Sequence, residues 1–99
     1  MPARNTGEQR PKHHVTNGNW PEATLDGTPA ATYAQHLARN LRDAIGDRSR
    51  KEIARLTGLS DVTIAAVLTG DNYPDLRTVA RLETALGRRL LPDWPARTR

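Results

Sequence analysis

Ninety-nine residues carrying a formal net charge of +4 are enough for one small domain with chain to spare. The absence of cysteine excludes a disulfide framework and a thiolate metal site, and it fits a reducing cytoplasm. No apolar run approaches the roughly 20 residues that a membrane helix needs, and no apolar signal region opens the chain, so a cytoplasmic protein without membrane association is expected.

The position of the charge matters more than its sum. Residues 1–29 carry three basic and three acidic side chains, and residues 30–87 carry eight basic against seven acidic. Residues 88–99 hold four Arg against Asp93. The excess therefore lies near the C-terminus, where it favours phosphates in general without reading sequence.

Residues 1–29 contain four Pro and three Gly among sparse apolar side chains, which predicts a mostly disordered, flexible arm. Within it, Asn17-Gly18 favours a tight hairpin turn, but its flanks are too short to hold an isolated hairpin. Docking of Trp20 and Leu25 onto the rest of the chain is the alternative. The folded part is expected over 30–94, with a basic tail over 95–99. Tyr33, Leu37, Leu41, Ala44 and Ile45 recur at helical steps and predict a first helix from near Thr32, ended by Gly46. Ser49 and Glu52 have capping-box spacing for a second helix that ends at Thr57.

The stretch 50–69, RKEIARLTGLSDVTIAAVLT, has the spacing of a helix-turn-helix. Ala54 is small where a second helix must cross closely. Gly58 stands where the chain needs a positive φ, which glycine adopts without a Cβ penalty. Ser60 can cap the next helix, Asp61–Leu68. Ile64 and Val67 share one face and can pack back on Ile53 and Leu56. A turn-rich loop, 70–74, leads to a fourth helix capped by Asp75, with Leu76, Val79, Leu82 and Leu86 inward and Gly87 as its stop. Leu90, Leu91 and Trp94 are expected to cover the open end of the core, while Pro92 and Pro95 limit any fifth helix. The fold class is all-α.

Ser49-Arg50-Lys51-Glu52-Ile53-Ala54, Gly58-Leu59-Ser60, Ile64, Gly70, Pro74, Leu76 and Ala85-Leu86-Gly87 resemble the Cro/C1-type (xenobiotic-response-element, XRE) helix-turn-helix family, over roughly Tyr33 to Leu91. The resemblance implies a compact lambda-repressor-like bundle of four or five helices whose third helix enters the DNA major groove. It also implies a transcriptional regulator, often a dimer on inverted repeats.

The outward face of the third helix departs from that family. Asp61, Val62, Thr63 and Ala66 are the base-contact candidates, yet related proteins often carry Gln, Arg, Lys, Asn or Ser at the equivalents of Asp61, Val62 and Ala66. Such residues make bidentate bonds worth about 1–3 kcal/mol of discrimination each. Ala66 has no side-chain hydrogen bond to offer, and Asp61 is equally well explained as a first-turn acid favoured by the helix dipole. Phosphate candidates are better supplied: Arg42, Arg50, Lys51, Thr69, Asn72, Tyr73 and Arg77. Each Arg has a plainer reading as one half of a surface ion pair.

Three function classes follow. The first is a regulator that binds double-stranded DNA, as a homodimer because a monomer of this size buries little surface. The second is a protein-interaction module, an antitoxin or adaptor, that meets its partner through Val62, Ala65 and Ala66. An enzyme has no support: there is no Gly-rich phosphate loop, and His13, His14 and His36 lack metal-ligand spacing. Catalytic residues, metal and cofactor are accordingly expected to be none.

Overall fold

The computed structural model describes residues 9–93, and its helices follow the capping signals closely. Four α-helices occur among the described residues: α1 (Pro29–Ile45), α2 (Arg50–Thr57), α3 (Asp61–Thr69) and α4 (Leu76–Leu86). Three begin on a side chain that accepts a free first-turn amide. Ser49 takes the Glu52 N–H, Ser60 that of Thr63 and Asp75 that of Thr78. Bonding to Thr78 also draws the Asp75 carboxyl below its ordinary pKa. Arg48 closes the end of α1, donating from Nη2 to the Ala44 carbonyl at 2.8 Å.

One apolar core joins the helices. Leu37, Leu41, Ala44 and Ile45 of α1 meet Ile53 of α2, Ile64 and Val67 of α3, and Val79 and Leu82 of α4. Leu90 closes it from beyond α4. Its carbonyl accepts from Asn40 Nδ2 at 2.7 Å, and its amide donates to the Glu83 carboxylate at 2.8 Å. Leu91 packs at the edge of the same core. Trp94 and the 95–99 tail lie outside the described residues.

Two expected core positions are corrected. Leu56 is 47% exposed, because the buried stripe of α2 runs from Ile53 to Thr57, four residues on. Leu76 is 79% exposed: as the first residue of α4 it has no preceding turn to pack beneath. Thr57 fills the place expected for Leu56. Its hydroxyl donates to the Ile53 carbonyl at 2.8 Å and accepts the Leu59 amide at 3.2 Å, tying the turn to α2.

The arm reading is corrected for residues 9–28, which pack on the helices, as in the alternative with Trp20 and Leu25 docked. A 3-10 turn, Pro11–His14, leads into β1 (Val15–Asn17), which pairs antiparallel with β2 (Thr24–Leu25). The connection is a six-residue loop containing the cis Trp20–Pro21 peptide, in place of the two-residue turn suggested by Asn17-Gly18. So short a hairpin needs a surface to lie on. The N-terminal half of α1 supplies one through small side chains: Ala31 is buried against Ala23 and Leu25, with Val15 and Trp20 at the edge. This is why α1 begins at Pro29, a residue suited to a first helical turn, and not near Thr32. Gln35, fully buried, donates to the Ala23 carbonyl at 2.5 Å.

Gly70 shows how tightly this segment sits. It ends α3 in the left-handed region at φ 74°, and a Cβ there would lie 2.7 Å from Trp20 Cε2 and 3.1 Å from Lys12 Cβ. Gly87, at φ 66°, has nothing within 4 Å of the same position. Gly87→Ala should therefore cost only the backbone term of about 1–2 kcal/mol. Gly70→Ala should cost more, since Trp20 must also shift. Urea midpoints of the two variants measure the difference, and equal losses would mean that Trp20 does not rest on Gly70.

Acid should loosen the hairpin. The bond from His14 Nδ1, 2.7 Å from Asp26 Oδ2, followed by the Thr28 amide, draws the Asp26 carboxyl from 3.8 down to about 2. A carboxylate with a depressed pKa contributes stability above its ordinary value, and the contribution is lost as pH falls through the lower one. Asp26→Asn should thus lower the melting temperature at neutral pH, and its deficit against the wild type should close as pH drops from 3.8 towards 2. A deficit that does not change with pH would exclude the carboxylate charge as its source.

Candidate nucleic-acid interface

The inward pair Ile64 and Val67 fixes which side of α3 faces out. Val62 is 77% exposed and Asp61 is exposed beside it, whereas Thr63, Ala65 and Ala66 are half-buried. Val62, Thr63 and Ala66 line a shallow groove with Asn72, Tyr73, Pro74, Asp75 and Thr78. Three base-contact candidates and two phosphate-contact candidates thus share one surface. The Thr63 hydroxyl lies 2.9 Å from that of Ser60, so one of its hydrogen-bonding positions is occupied.

Arg50 stands at the first position of α2, with Nε 3.5 Å from Asp61 Oδ1. Both side chains are more than half exposed, so the pair is a weak solvent-screened contact. It brings a phosphate candidate and a base candidate together, but it also sets a negative charge against the cation. Lys51 is exposed on the same first turn, beside Ser49, Glu52 and Arg55.

The remaining candidates are placed differently. Arg42 makes a bidentate pair with Glu22, 2.9 Å at each oxygen, which raises its pKa and holds it against the docked hairpin. The Thr69 hydroxyl lies 3.0 Å from the Ala65 carbonyl and 2.6 Å from Asp71 Oδ2, so its single proton is committed locally. Arg77 lies on another groove, with Thr57, Ala80 and Arg81, and not among the residues around Val62. Of the apolar patch Val62, Ala65 and Ala66, only Val62 is well exposed, and Leu68 packs at the core edge.

Sequence reasoning missed the neighbours that the hairpin brings. Gln9 and Arg10 border Asp71, Asn72 and Tyr73. Asp71 Oδ1 is paired with Lys12 Nζ and lies 3.8 Å from Arg10, and the bond to Lys12 followed by that to Thr69 lowers its pKa. No local pattern in the sequence signals these contacts, which join positions about sixty residues apart. Among the described residues no group of His, Cys, Asp and Glu could hold a metal ion, and no helix is long and apolar enough to cross a membrane.

Ser49-capped α2, the left-handed turn at Gly58 and Ser60-capped α3, with one face of α3 buried and the other open, define a helix-turn-helix domain. The helix-turn-helix family HTH_3 matches residues 39–91, and the chain belongs to this Cro/C1-type family of DNA-binding transcription regulators. Among solved structures the chain is similar to the restriction-modification controller protein C.AhdI from Aeromonas hydrophila. The two share 32% identity, with 60% of this chain and 86% of that one covered, at a TM-score of 0.47. No curated protein matches the chain.

Proposed function

We propose that the protein is a sequence-specific transcriptional regulator that docks α3 in the major groove as a homodimer. The observation that carries this reading is the continuity of the open face of α3 with the loop that follows it: Val62, Thr63 and Ala66 share a groove with Asn72 and Tyr73. A helix in the groove and a loop along the adjacent backbone need that juxtaposition. Direct readout falls to Thr63 and Asp61 with apolar contact from Val62, and DNA shape supplies the rest of the specificity. Arg50, Lys51, Asn72 and Tyr73 are the phosphate contacts. Arg42, held by Glu22, and Arg77, on a separate groove, are secondary. The alternative of an antitoxin or adaptor surface rests on Val62 alone, since Ala65 and Ala66 are half covered.

Selection from randomised duplex DNA, followed by salt titration of the enriched sites, tests the reading. An enriched motif that outcompetes random duplex is expected. Arg50→Ala should weaken binding to every sequence and reduce the salt slope by about one. Asp61→Lys should strengthen binding to random duplex, because it removes a carboxylate that repels phosphate and releases Arg50. If no motif is enriched and Asp61→Lys leaves DNA affinity unchanged, DNA reading is lost and the protein-partner surface replaces it.

The dimer surface in this reading is the start of α4. Leu76 stands exposed beside an apolar pocket of about 260 Å³ lined by Tyr33, Leu37, Pro74, Val79 and Leu91. A second copy that covers Leu76 removes its side chain from water and doubles the DNA-facing surface. Leu76→Glu should shift the sedimenting species from dimer to monomer and weaken binding to the selected site. A wild type that sediments as a monomer at DNA-binding concentrations excludes this surface.

A further inference from the structure

Residues 9–28 lie outside the stretch that matches the family, yet several of their contacts converge on the last turn of α3. A helix end leaves four carbonyls without partners in the helix. Here Asp71 N–H serves the Ala66 carbonyl at 3.0 Å and Gly70 N–H serves that of Val67 at 3.4 Å. The Leu68 carbonyl receives its proton from outside the motif, from Trp20 Nε1 at 3.2 Å, while the indole covers Gly70. Two residues further on, the Lys12 amide donates to the Gly70 carbonyl at 3.0 Å. The Lys12 ammonium and Arg10 hold Asp71 Oδ1, while Asp71 Oδ2 faces Thr69.

We propose that Trp20 is a positioning residue for DNA recognition: through Leu68 and Gly70 it sets the last turn of α3 and the 70–73 loop without itself touching a base. The inference rests on the DNA-reading function proposed above. Helix α3 has nine residues, far below the length at which a helix holds itself in water. Its N-terminal end is fixed by Ser60 and its middle by Ile64 and Val67. Its other end is capped by the Gly70 and Asp71 amides and held from outside the motif by the hairpin. Base readout tolerates little displacement of the contacting groups, whereas attraction to phosphates tolerates much more. Loosening this end displaces Asn72 and Tyr73, the phosphate contacts that set the register in which Asp61, Val62 and Thr63 meet base edges. It should therefore lower discrimination more than general DNA attraction.

Trp20→Ala and Trp20→Phe test it, the second keeping a ring over Gly70 while losing the N–H donor. Two quantities are measured: amide hydrogen exchange in the free full-length protein, and affinity for the selected and for a random duplex at one salt concentration. Trp20→Ala should speed exchange at Gly70 and Asp71 about tenfold, with Leu41 and Ile53 unchanged. It should weaken binding to the selected duplex about tenfold and to random duplex by less than about twofold, with Trp20→Phe between it and the wild type. If Trp20→Ala fails to fold, the Trp20→Phe shift in the ratio of the two affinities decides. An unchanged ratio overturns the proposal, as does a uniform rise in exchange across all four helices with both affinities falling together. A wild type that discriminates no sequence overturns the DNA reading itself. That failure is recognisable before any variant is made.

Discussion

A nine-residue helix that must leave one face bare has to be held at three places by its surroundings, and the rest of this structure is arranged around that constraint. Ile64 and Val67 are the only fully buried side chains that α3 contributes, so burial fixes its rotation about its axis. Burial of two side chains does not fix its ends. The N-terminal end is settled within the motif, because Ser60 caps it and Thr57 locks the turn that precedes it. The C-terminal end is capped within the motif by Gly70 and is also held by a residue some fifty positions earlier in the chain. Three different interactions, apolar packing, a hydroxyl cap and an indole donor, thus define one helix.

Electrostatics point the same way. Counted on the sequence, the domain offers a run of arginines, but several are paired in the fold. Arg42 belongs to Glu22 and Arg50 faces Asp61, while Arg10 and Lys12 face Asp71. None of these exposed pairs contributes much stability. Their effect is on what a phosphate meets on approach: Arg50 can exchange its partner without disturbing the core, whereas Arg42 would have to leave a bidentate pair that also holds the hairpin. The cations of this surface are therefore unequal in availability, a distinction that net charge cannot make.

The helix-turn-helix was legible because its constraints are local. Ser49, Gly58, Ser60 and Asp75 each act on backbone within three residues, and spacing alone reveals them. Leu56 and Leu76 misled for a related reason: helical periodicity marks a face but not where that face ends, and a side chain at the margin or on the first turn can lie beyond it. Thr57 carried a signal that was passed over, a hydroxyl two residues before an amide that needs an acceptor. The hairpin carried almost none. Its strands have three and two residues, too few for alternation to show, and its apolar contribution is small because it meets α1 through alanines. Its stability comes from pairing with distant residues, which composition reads as disorder.

The boundary of the family match acquires a physical meaning from this. Residues 39–91 contain the side-chain caps of α2, α3 and α4 and most of the core, so they suffice to specify the motif. They do not supply a donor for the Leu68 carbonyl, nor a cation for Asp71. A carboxylate at the C-terminal end of a helix adds to the negative end of the helix dipole, an unfavourable arrangement unless a cation stands by it. Here that cation comes from the same segment that brings Trp20. Asp71 and Lys12 therefore belong to one device, and removing the segment would leave a helix end with both a bare carbonyl and an uncompensated charge. The surface proposed to read DNA is built by the motif, but the end of it next to the loop is completed by chain that the motif does not contain.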